Sequence, residues 1–117
     1  MRIEVKGRNT QITDDLRERA EKRFTKIGRQ VSELARLDIE FSEERNPAIV
    51  DSQIVECSLH LKGVTLRTRT ASPEMTKSLN MCAEELARQV KRHRDKRRKR
   101  RESRSAPKGF EGPSPAV

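Results

Sequence analysis

The chain has no tryptophan, no tyrosine and only three phenylalanines in 117 residues. So few rings count against a nucleic-acid platform that works by stacking bases on aromatic side chains. Long apolar runs are missing as well. Nothing approaches the ~20 apolar residues that span a bilayer, and the opening Met-Arg-Ile-Glu-Val lacks the apolar stretch of a secretory signal. The expected location is cytoplasmic. Only two cysteines occur, Cys57 and Cys82, and they form no Cys-x-x-Cys or Cys/His motif. Each falls on an apolar stripe, so both read as buried, reduced thiols. His60 and His93 have no ligand partner at metal-binding spacing, and no nucleophile–base pair or glycine-rich phosphate loop is visible. Glu43 and Glu44 are neighbours in a loop, not a spaced acid–base pair. The expectation is a binding protein with no cofactor and no catalytic site.

Acidic residues are scarce in one segment only. From Arg88 to Arg104, eleven Lys and Arg stand against Asp95 and Glu102, and this local +9 equals the net charge of the whole chain. The other hundred residues carry sixteen charges of each sign and cancel. A positive field confined to one element is the footprint of a polyanion: RNA, DNA or an acidic membrane. No aromatic or apolar wedge adjoins the run, so a membrane surface gains no support from the sequence.

The apolar residues are few, at 32% of the chain, but periodic, which predicts one domain with a modest core. Ile3 and Val5 alternate with polar neighbours and predict a short strand, followed by a loop from Gly7 to Gln11. Thr13 is placed to cap a helix with Asp14 and Asp15 in its first turn. That helix buries Leu16, Ala20, Phe24 and Ile27, ends near Gly28, and leaves Val31 as a trailing contact. Leu37, Ile39 and Phe41 mark a second strand, and Asn46-Pro47 a turn. Val55, Cys57, Leu59 and Leu61 mark a third strand, joined through Lys62-Gly63 to a fourth carrying Val64, Leu66, Thr68 and Thr70. Ser72-Pro73-Glu74 opens the second helix, with Ser72 as N-cap and Pro73 in the first helical position. Its stripe is Met75, Leu79, Cys82, Leu86 and Val90. The predicted class is α+β, in the order β-α-β-β-β-α, with both helices on one face of a four-stranded sheet.

Helical geometry, at about 100° per residue, sorts the charges of the first helix. Arg19, Lys22, Arg23, Lys26 and Arg29 share one flank of its apolar stripe, and Asp14, Glu18 and Glu21 the other. Glu18–Lys22 and Glu21–Lys26 lie near pairing distance, so a solvated helix laced with ion pairs competes with a basic binding stripe. On the second helix Arg88, Lys91 and Arg92 point away from the core, with Lys77 on the same side. From Arg94 on, Lys96, Arg97, Arg98, Lys99, Arg100 and Arg101 surround the axis, so this segment must project from the domain or fray. Like charges three and four apart repel, and phosphates that neutralise them would order the run.

From Met1 to about Arg98 the chain resembles the ribosome hibernation-promoting factors, also called ribosome-associated inhibitor A or sigma-54 modulation proteins. The resemblance rests on the element order and on three segments: Ile12-Thr13 at the first helix, Ser42-Glu43-Glu44-Arg45-Asn46-Pro47 after the second strand, and Leu86-Ala87-Arg88-Gln89-Val90. It implies a protein that sits on the small ribosomal subunit between head and body, where messenger and transfer RNA would lie. Such a protein binds mainly ribosomal RNA and stops translation reversibly, without chemistry. It also implies a domain similar to the double-stranded-RNA-binding fold with an extra first strand, which recognises shape and phosphates over sequence. On this resemblance Lys26, Arg29, Arg88 and Arg92 are the foremost RNA contacts, joined on charge by Lys22, Lys91, Arg94, Lys96, Arg97 and Arg98.

The chain departs from the family where Glu74-Met75-Thr76 replaces Asp-Met-Tyr, and where Glu85 stands in place of a Lys. The expected organisation is a ribosome-binding domain with its basic helical extension over residues 1–101 and a disordered tail over 102–117. That tail is too short for the second domain with which long members pair two ribosomes, so the protein is expected to silence single ribosomes and to be a monomer when free. A general RNA- or DNA-binding architectural protein is the alternative. A modulator acting on a sigma factor is a third, and it would need an exposed apolar surface, for which Ile54 is the main side chain on offer.

Overall fold

The computed structural model describes residues 1–105. Its elements are β1 (Arg2–Arg8), α1 (Asp14–Gly28), β2 (Arg36–Glu43), β3 (Gln53–Leu61), β4 (Val64–Ser72) and α2 (Met75–Ser105). The strands form one sheet in the order β1-β2-β3-β4. β1 runs parallel to β2, and the other neighbours are antiparallel. A parallel pair needs a crossover, and α1 supplies it.

Period-two alternation aligns Val5, Ile39, Cys57 and Thr68 across the sheet, and Ile3, Leu37, Leu59 and Leu66 in the next row. Ala20, Phe24 and Ile27 of α1 and Leu79, Cys82, Leu86 and Val90 of α2 close over those rows in one buried cluster. Both helices therefore cover the same face. The opposite face carries Arg2, Glu4, Arg36, Asp38, Glu56, His60, Arg67 and Arg69, and all but Arg67 pair there through Arg2–Glu4, Arg36–Asp38, His60–Asp38 and Arg69–Glu56.

Three local expectations need correction. β1 continues through Gly7 and Arg8, because the parallel register pairs them with Phe41 and Ser42. A Cβ at Gly7 would meet the Thr10 carbonyl oxygen at 2.7 Å, so the close turn out of the strand requires glycine there. α2 begins at Met75, later than Pro73, and Ser72 remains the last residue of β4. Ser72 still serves the helix entry, since its hydroxyl accepts from the Glu74 N–H at 3.2 Å. Ile54 is only 8% exposed: it sits within the ladder between Ser42 and Ala71. The exposed large apolar side chains among the described residues are Leu34, Ile49, Val50 and Met81.

The helix cap and the hairpin turn are as expected. Thr13 Oγ1 accepts from the Leu16 N–H at 3.1 Å, and Gly63 adopts φ +80° in the two-residue β3–β4 turn. A side chain there would be strained, which is why glycine fits. α2 is 31 residues long, about 46 Å of helix. Its apolar stripe ends at Val90, and the helix continues unbroken past the expected domain boundary at residue 101. Residues 106–117 of the expected tail lie outside the described residues.

Candidate nucleic-acid interface

The position of α2 is set by a buried polar seam at its first turns. Ser78 is fully buried, and its hydroxyl donates to the Gln53 carbonyl at 2.6 Å and meets Ser72 Oγ at 2.7 Å. Thr70 Oγ1 donates to the Ser78 carbonyl at 2.6 Å. A satisfied network of this kind fixes orientation, because any shift strands buried polar atoms. One turn on, Cys57 of β3 and Cys82 of α2 are both buried, with their sulfurs 2.9 Å apart. The hydrogen bond with Cys82, and then burial, push the Cys57 thiol up. At the far end of the sheet, Gln89 Nε2 donates to the Arg67 carbonyl of β4 at 2.9 Å. Further along, Arg94 reaches Gln30, just past α1, at 3.3 Å. Beyond that point the helix carries cations on every side.

All ten charge-selected residues, Lys22, Lys26, Arg29, Arg88, Lys91, Arg92, Arg94, Lys96, Arg97 and Arg98, are exposed, but they do not converge on one pocket. Lys22 and Lys26 share a shallow groove between the helices with Arg19, Arg23 and the α2 residues Thr76 and Asn80. Arg23 also reaches Glu84 of α2 at 3.8 Å. Arg88 and Lys91 form an outer ridge. Arg92 and Lys96 line a cleft with Lys99 over Val64 and Leu66. Arg94, Arg97 and Arg98 line a third recess with Arg2, Arg36 and Lys62. Arg29 caps the end of α1, outside all three.

The basic flank of α1 thus lies beside α2 and leads toward the α2 extension, where the cations surround the helix axis. Two ion pairs on these helices were not evident from the sequence. Arg19 holds Asp15 at 2.9 Å, and Arg88 holds Glu85 at 2.8 Å. The Arg88 hydrogen bond keeps the Glu85 carboxyl below its ordinary range. The positions Arg2, Arg36 and Lys62 were missed because they are scattered in sequence and meet only where the sheet ends. Glu18 and Glu21 form none of the ion pairs found among the described residues, so the ion-pair lattice that competed with a basic stripe on α1 is sparse. No group of three His, Cys, Asp or Glu able to hold a metal occurs among the described residues, and none of their helices is long and apolar enough to cross a membrane.

Comparison with known proteins follows the same outline. The chain is 22% identical over 102 residues to a ribosome hibernation promoting factor of Azotobacter vinelandii, covering 87% of this chain and 91% of that one. It is 26% identical over 96 residues to the factor of the same name from Salmonella typhimurium, covering 82% and 96%. The ribosome hibernation promotion factor of Picosynechococcus sp. matches at 22% over 97 residues, or 82% of this chain, which spans only 50% of that longer protein. Among solved structures, a ribosomal subunit interface protein from Coxiella burnetii superimposes with a TM-score of 0.69 at 22% identity, covering 81% of this chain and 99% of that one. The N-terminal domain of Thermus thermophilus Protein Y gives 0.67 at 23% identity, covering 80% and 99%. Residues 3–98, nearly the whole of the described fold, match one sequence family, and the chain belongs to it: the sigma 54 modulation protein / S30EA ribosomal protein family.

Proposed function

We propose that the protein is a ribosome hibernation factor that binds the small ribosomal subunit in the channel for messenger and transfer RNA and reversibly inhibits translation. The observation that carries this reading is the continuity of α2: one helix seals the core as far as Val90 and then continues as a strongly basic extension in which cations far outnumber Asp95 and Glu102. With the basic flank of α1 beside it, the domain offers an RNA a broad array of phosphate-binding cations and no base-stacking platform. Such a surface suits folded ribosomal RNA, which proteins recognise by shape and backbone.

The mechanism needs occupancy alone. Lys22 and Lys26 from the inter-helix groove, Arg88 and Lys91 from the ridge, Arg92 and Lys96 from the cleft over β4, Arg29 from the end of α1, and Arg94, Arg97 and Arg98 from the extension would neutralise phosphates and release counterions. The domain would then fill space that messenger and transfer RNA require. A ribosomal partner would be met in the cytoplasm. The names of its relatives support a ribosomal role over a general architectural one.

The test is co-sedimentation through sucrose gradients with separated subunits and intact ribosomes. The protein should travel with the small subunit and be displaced by messenger plus initiator transfer RNA. Equal binding to any RNA, with no displacement, would favour the architectural alternative.

A further inference from the structure

The face of α2 that buries Leu79, Cys82, Leu86 and Val90 does not end at Val90. Continued at helical spacing, it carries His93 and Arg97, so the side that seals the core becomes a cationic roof where the helix leaves the sheet. Beneath that roof is a recess of about 1090 Å³, lined on its far side by Arg2, Arg36 and Lys62. These three come from β1, β2 and the β3–β4 turn. Arg2 and Arg36 stand opposite each other in the parallel register, a like-charge pairing that costs stability when nothing neutralises it. Among the described residues, Arg2 pairs with Glu4 at 3.7 Å, and Arg36 pairs at 3.4 Å with the half-buried Asp38, which His60 shares at 3.0 Å. The floor is apolar: Val31, Ala35, Leu61 and Val90 line it, and Leu34 stands at its side 94% exposed. Glu33 is the one acidic residue in the lining.

Cations on two walls over an aliphatic floor suit a chain of phosphates whose sugars and bases lie inward. A paired duplex keeps its bases stacked inside and presents only phosphates and groove edges, so it would leave Leu34 and the floor uncovered. The volume also reaches beyond the ~300–1,000 Å³ typical of a small-molecule pocket. We propose that this recess holds a single-stranded RNA segment, threaded between the α2 extension and the end of the sheet, with phosphates on Arg36, Lys62 and Arg97 and bases against Leu34. The inference rests on the RNA-binding reading above and adds to it a strand-specific site separate from the inter-helix groove. With an aliphatic floor in place of an aromatic one, phosphate contacts dominate, so the grip is salt-sensitive and tolerant of sequence.

The experiment uses the full chain, a fluorescein-labelled ten-nucleotide oligouridine and a labelled twenty-base-pair RNA duplex, with anisotropy read at several salt concentrations. Arg36→Gln/Lys62→Gln should weaken the oligouridine about tenfold and lower its salt slope by about 1.4, at about 0.7 per phosphate for single strands. Duplex affinity should change less than twofold. Leu34→Ala, which alters no charge on a side chain that is already solvent-facing, should weaken the oligouridine about threefold and leave the slope unchanged. Circular dichroism checks that both variants keep the fold. Loss of duplex and oligouridine binding in equal measure, no response to either variant, no oligouridine binding by the parent, or equal displacement by polyglutamate would each overturn the site. Failure of the ribosomal reading is seen separately, as a parent protein that does not co-sediment with small subunits whatever the oligouridine does.

Discussion

Arg88 and Glu85 are bound to each other on the solvent side of α2, with the guanidinium Nη2 2.8 Å and Nε 3.2 Å from the same carboxylate oxygen. Glu85 stands where the family resemblance leads one to expect a lysine. The exchange does more than remove a positive charge, because the carboxylate also ties down the neighbouring arginine. An RNA phosphate binding at Arg88 would have to compete with Glu85.

Glu85→Gln should therefore tighten small-subunit binding by a few-fold, through a freed Arg88 and one fewer negative charge. Arg88→Gln should weaken it. In the free protein the Glu85 carboxyl, followed by carbon-13 NMR, should titrate below an unpaired glutamate and move up in Arg88→Gln. The sign follows from linkage: a depressed folded-state pKa gives a contribution that is present above the unfolded value of ~4.3 and lost as pH falls through the folded value. An unmoved midpoint in Arg88→Gln would mean that the pair does not persist in solution.

Leu86 lies fully buried at the centre of α2. Leu86→Ala should cost about 2–5 kcal/mol, a large share of the stability of so small a domain. The check is the urea midpoint and the melting temperature, and an unchanged midpoint would be incompatible with the packing described.

Ser78 tests the polar seam. Ser78→Ala removes the hydroxyl donor to the Gln53 carbonyl and one of the partners of Ser72 Oγ, which keeps its bonds to Glu74, at a cost of about 1–3 kcal/mol. Hydrogen exchange should quicken in the first turns of α2 more than in β1. Uniform protection across the chain would argue that the seam does not anchor the helix.

The α2 extension separates binding from folding. Arg97, Arg98, Arg100 and Arg101 changed together to Gln should leave the melting temperature within a few degrees, because they lie beyond the core stripe. The salt slope of ribosome binding should fall by ~2–4 units if these residues meet phosphates. Unaltered inhibition of translation at physiological salt would confine the site to the folded domain.

Inhibition by occupancy is stoichiometric. With ribosome concentration varied at fixed protein in an in-vitro translation assay, the half-inhibition point should track the ribosome concentration and recover with excess initiator transfer RNA and messenger. Inhibition by protein far below the ribosome concentration would imply turnover and sink the binding-only mechanism.

Much of this protein is determined by local pattern. The two-residue alternation of Leu37, Ile39 and Phe41, and the helical spacing of Ala20, Phe24 and Ile27, depend only on backbone geometry within a few residues, so element order and core faces are legible in the sequence. The Thr13 cap and the Gly63 turn are equally local, and net charge along α2 is a simple count. What required the tertiary structure is whatever depends on chain segments far apart. The length of β1 follows from a parallel register with β2, and the burial of Ile54 from strand neighbours on both sides. The start of α2 follows from Ser72 and Ser78 meeting across the Gln53 carbonyl. The recess beneath the extension exists because Arg2, Arg36 and Lys62, separated in sequence by the lengths of whole elements, arrive at one end of the sheet just where a helix with no apolar face left must leave it. A sequence records which residues are cationic. Only the packing of a helix against a sheet of finite length decides which of them share a wall.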